Sequence, residues 1–118
     1  MDITEVLNEY REYDTTLGVD KLLTMKHNLS ILIYECSKHI AKLEEKSKEA
    51  TAYKKIHLAT SELEIEGTGQ FRKNQAIVDN ETTIIAEAKL EGQLKAYKIK
   101  YDGMVNLSNS MASFLSKL

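Results

Sequence analysis

Apolar side chains return every seven residues through one long stretch of the chain. From Leu22 the sevenths read Leu22, Leu29, Cys36, Leu43, Ala50 and His57. The interleaved set reads Met25, Leu32, His39, Lys46, Tyr53 and Thr60. No residue between Asp20 and Glu66 would stop a helix, and the whole sequence lacks proline. The pattern predicts a helix over 20–66, roughly 70 Å long at 1.5 Å per residue. Gly67-Thr68-Gly69 then marks a turn over 67–70, and a second long pattern runs over 71–118.

Before this hairpin, Ile3, Val6, Leu7 and Tyr10 share a face at helical spacing. Asp2 followed by Glu5 has the form of a capping box. Residues 1–19 therefore read as a short helix and turn ending at Gly18. Asp20 is placed to cap the long helix, and Thr68 to cap the next.

The third segment opens with Phe71, Ile77, Val78, Ile84 and Ile85. It continues with a seam of Leu90, Leu94, Tyr97, Tyr101, Met104, Ser108, Met111, Leu115 and Leu118. Asp79-Asn80 and Asp102-Gly103 are two places where it could break.

Folding back at Gly67-Thr68-Gly69 puts Leu43 near residue 93 and Leu22 near residue 114. The apolar-rich ends of both helices then meet, as do the poor ends. The expected fold is all-α, a single domain over 1–118. It is a long antiparallel helical hairpin, a coiled-coil arm, whose rich end the short N-terminal helix completes as a three-helix bundle. Leu22, Leu23, Met25, Ile33 and Ile40 spread wider than a strict seam, which predicts self-association, most simply a dimer.

Composition agrees with a folded helical chain: 42% of residues are hydrophobic, 29% are charged, and only 7% are aromatic. The formal net charge of −2 argues against duplex nucleic acid held by bulk charge. The longest nearly uncharged run, His27 to Tyr34, is too short to span a bilayer. The acidic start of the chain lacks an apolar signal core, so a cytoplasmic location is expected.

No residues read as catalytic. Glu62, Glu64, Glu66, Asp79 and Glu81 flank the turn, where a solvated face explains them better than an acid–base pair. His27, Glu35, Cys36, His39, Glu44 and His57 lack the spacings of a metal site, and a seam cysteine with partly buried histidines explains them better. Neither metal nor cofactor is expected.

Two sets of residues are candidates for binding. Lys54, Lys55, Arg72 and Lys73 fall toward the turn with Phe71, an aromatic anchor with a basic rim. This set is the expected protein-partner site. Lys95, Lys98 and Lys100 interleave with Tyr97 and Tyr101, which could hold a nucleic-acid single strand by charge and stacking. The tyrosines also lie on the apolar seam, where they read as core.

Tyr53-Lys54, Gly67-Thr68, Arg72-Lys73 with Ala76, Glu87-Ala88 and Lys95-Ala96-Tyr97-Lys98 stand in order along the second half of the chain. A closing helix Ser108–Leu118 carries Ser110-Met111 and Leu115. Over about Ala50 to Leu118 this resembles short helical proteins encoded in the early, recombination regions of tailed bacteriophages. The resemblance implies a non-enzymatic accessory or adaptor protein in the host-cell cytoplasm. Its partner would be a recombination, replication or host-defence protein, of phage or host. A single-stranded nucleic-acid-binding accessory protein is the alternative. The hairpin also resembles small helical partners of secretion systems, but their Trp-x-Gly turn is replaced here by Gly67-Thr68-Gly69.

Overall fold

The computed structural model describes residues 2–118, which form an all-α helical hairpin. The order is α1 (Ile3–Glu12), a short 3₁₀ turn (Thr15–Leu17), α2 (Val19–Glu64), α3 (Gly69–Asp79) and α4 (Glu81–Ser116). The chain divides into two units, one of residues up to Ile40 with Tyr97–Leu118, the other Ala41–Ala96.

In the first unit, α1 is opened by Asp2, whose carboxylate accepts the Glu5 N–H at 2.9 Å. Tyr13 turns extended and ends the helix. Asp14 then caps the 3₁₀ turn through the Thr16 N–H at 2.8 Å. Gly18 follows with φ 85° and ψ 159°, so its positive φ closes the 3₁₀ turn rather than α1. The helix expected from an Asp20 cap begins one residue earlier, at Val19. Asp20 lies in the first turn, where its charge suits the positive end of the helix.

Val6 of α1, Leu22, Met25, Leu29 and Cys36 of α2, and Met104 and Met111 of α4 form the buried core. They are heptad neighbours on each long helix, which is why one seam per helix suffices. Tyr13 meets Phe114 edge-on at 5.7 Å. This is the three-helix bundle the pattern predicts. It also absorbs most of the wide stripe on α2: Leu22 and Met25 are buried, and Ile33 and Ile40 pack against the core. Leu23 stays about half exposed.

In the second unit α2 ends at Glu64, two residues short of the expected boundary, and α3 starts at Gly69. Thr68 caps α3 as expected, accepting the Phe71 N–H at 3.2 Å. Of the two candidate breaks, only Asn80 interrupts the helix; α4 runs unbroken through Gly103. Burial of Tyr101 and Met104 beside Gly103 outweighs the roughly 1 kcal/mol that a helical glycine costs.

The break shifts the pairing. Tyr97 meets His39 in the first unit, the register counted from the turn. In the second unit Lys54 meets Glu87 and Ser61 meets Asn80. Each partner lies farther along the chain than the same count gives, because α3 is a separate helix rather than the straight start of α4.

Candidate binding surfaces

The fully buried positions of the second unit are small or polar. Its buried residues are Ala76, Asn80 and Glu87. Glu87 accepts a hydrogen bond from Lys54 Nζ at 2.6 Å, an ion pair between α4 and α2. The Lys54 bond, with Thr51 beside it, holds the Glu87 carboxyl below the ordinary glutamate range. Asn80 closes the other end: its side-chain amide donates to Ser61 Oγ at 2.9 Å and to the Ala76 carbonyl at 2.8 Å. These bonds satisfy the Asn80 side-chain amide where α3 stops.

Leu43, Leu58, Ile65, Ile84, Leu90 and Leu94 are half-buried, while other large apolar residues of this unit are outside. Tyr53, Ile56, Leu63, Phe71, Ile77, Val78 and Ile85 are each about half exposed or more. Phe71 rests on the turn: its ring lies so near Gly67 that a Cβ there would come within 2.9 Å of Cδ1. Leu63, a natural candidate to be stapled by Phe71, is 82% exposed.

The basic rim expected around Phe71 is distributed differently. Lys54 is taken up by Glu87. Arg72 is half-buried on the side of Ala76, with its Nε enclosed and without a hydrogen bond. Lys55 is exposed on α2, and Lys73 is exposed on α3. Phe71 and Val78, seven residues apart, share the outer face of α3, with Ile77 about 100° round the helix from Val78 and Lys73, two residues from Phe71, on the opposite side. Ile77, Val78 and Ile85 read as apolar positions opening the third segment and stand exposed in the structure. The signal that marks them is the polar Asn80 and Glu87 at the interior positions.

The lysine–tyrosine stretch belongs to α4. Lys95, Lys98 and Lys100 are exposed, while Tyr97 and Tyr101 pack against the core of the first unit. Tyr97 stacks on His39 at 5.5 Å, and Lys100 Nζ stands 6.0 Å from the same ring. The Tyr97 carbonyl accepts a long bond from Cys36 Sγ at 3.6 Å. A cleft of about 190 Å³ opens here, lined by Asp2, Ile3, Leu32, Glu35, Cys36, His39, Tyr97, Lys100 and Met104. Burial pushes the Cys36 thiol up, against a smaller opposing pull from Lys100. The thiol is therefore protonated at neutral pH and a poor nucleophile.

Among the described residues no group of three or more His, Cys, Asp or Glu gathers as a metal site. No helix among them is long and apolar enough to cross a membrane. Comparison with protein families, curated proteins and solved structures gives no match.

Proposed function

We propose that the chain is a non-enzymatic helical adaptor, of the phage accessory kind that its second half resembles. Its partner is a recombination, replication or host-defence protein, bound through the outer face of α3. The observation that supports this is the exposure of Phe71, Ile77 and Val78 on α3, beside an interior whose fully buried residues are only Ala76, Asn80 and Glu87. Exposed apolar side chains grouped on one helix face favour protein contact. Phe71 supplies the aromatic anchor typical of interface hot spots.

The test compares proteins retained from phage-infected cells by the wild type and by Phe71→Ala/Val78→Ser. Loss of the same retained protein, with the helical signal unchanged, supports the reading. Full retention by the variant refutes it. Titration of the wild type with single-stranded oligonucleotides at two salt concentrations addresses the alternative through Lys95, Lys98 and Lys100. Binding that falls steeply with salt would favour that alternative.

A further inference from the structure

We infer that the outer face of α2 in the second unit docks onto a second copy of this chain, antiparallel and across a two-fold axis. Ala52, Ile56, Ala59 and Leu63 follow one another at spacings of four, three and four. All four are exposed, with Ile56 at 64% and Leu63 at 82%. At 100° per residue they lie on the side of α2 opposite Lys54 and Ser61, the residues that face α4 and Asn80. They form a coiled-coil seam with no helix of this unit against it. Glu49 and Glu66 bound it, so the seam is about 16 Å long.

The spacing is symmetric about its own centre. Laid antiparallel on a copy of itself, Ala52 meets Leu63 and Ile56 meets Ala59, a small residue opposite a large one in every layer. Leu63 projects, and Ala52 borders an open depression lined also by Ser47, Lys48, Thr51 and Lys55. Projection and depression on one helix are the two halves of an isologous contact.

The flanking charges select the same arrangement. Lys55 precedes Ile56 and Glu62 precedes Leu63, both on one flank of the seam. In the antiparallel pairing, Lys55 of each copy faces Glu62 of the other, giving two identical ion pairs. In the parallel, in-register pairing no apolar layer joins a small residue to a large one. Ile56 would meet Ile56 while Ala52 met Ala52. The opposite charges at one flank, seven residues apart, therefore point to a second copy running the other way.

Sedimentation velocity over a wide concentration range tests this on the full chain. The wild type should pass from monomer to dimer. Lys55→Glu and Glu62→Lys, each placing like charges across the axis, should each raise the midpoint concentration by roughly tenfold or more. The double variant should restore the wild-type midpoint, because both pairs are reversed together. An equimolar mixture of the two single variants should form a mixed dimer, since a flank with two acidic groups then faces a flank with two basic ones. Circular dichroism on each variant checks that the helices remain. A wild type that stays monomeric throughout overturns the inference and leaves the seam to a different partner. Single variants that dimerise like the wild type overturn it as well, as does a double variant or mixture that fails to recover. The surface is on α2, so these results are independent of the test on α3.

Discussion

Two glycines of this chain have opposite reasons to be there. Gly67 has φ 127°, a conformation that costs any side chain, and Phe71 fills the space a Cβ would need. Gly67→Ala should therefore destabilise by about 1–3 kcal/mol in urea unfolding. Gly92 lies inside α4 with nothing within 4 Å of where its Cβ would be. Gly92→Ala should stabilise by up to about 1 kcal/mol. Equal effects of the two substitutions would refute this account of the turn. Glu87 carries the pH dependence at this scale. Its carboxyl is held below its ordinary range by Lys54 and Thr51, so the pairing adds stability above the unfolded value of about 4.3. That stability is lost as pH falls through the lower, folded value. Glu87→Gln should lower the melting temperature at pH 7, and its deficit should shrink as the pH falls below about 4. A deficit of the same size at pH 7 and pH 3 would assign the loss to packing instead.

At the scale of elements, Asn80 breaks the helix without glycine or proline. Its N–H bonds to Ala76 and ends α3, its carbonyl accepts from Ile84 and begins α4, and its side chain ties both to Ser61. Asn80→Ala leaves Ser61 and the last turn of α3 without that donor. A loss of about 1–2 kcal/mol is expected in chemical denaturation. Stability within a few tenths of the wild type would mean that backbone geometry alone makes the break. The caps at Asp2 and Thr68 were legible in the sequence because the residue that bonds lies three positions away. Asn80 was legible only as one of two candidate breaks. What separates it from Gly103 is non-local: Ser61 waits beside Asn80, whereas Tyr101 and Met104 anchor the helix around Gly103. No window of sequence contains that difference.

At the scale of the whole molecule, the sequence pattern carries the first unit much further than the second. Leu22, Met25, Leu29, Cys36, Met104 and Met111 are heptad positions and are buried, so periodicity names the core directly. The second unit hides its plan, because Lys54 and Glu87 are 33 residues apart and Ile77 looks like a core residue wherever it points. The two interiors should open at different costs. Leu29→Ala removes a fully buried side chain and should cost about 2–5 kcal/mol, whereas Ile56→Ala in a dilute, monomeric sample should cost little. Native-state hydrogen exchange reads the same contrast without mutating either interior. It is best run on Glu62→Lys, so that self-association adds no protection. Amides from Leu22 to Cys36 and from Met104 to Met111 should exchange only near the global unfolding free energy. Amides from Thr51 to Ile56 and around Glu87 should exchange through smaller openings, because the interior they enclose has an ion pair and half-buried apolar side chains rather than fully buried leucine and methionine. Uniform protection across both sets would mean that the Lys54–Glu87 pair and the Asn80 bonds hold their unit as firmly as the apolar core holds the bundle.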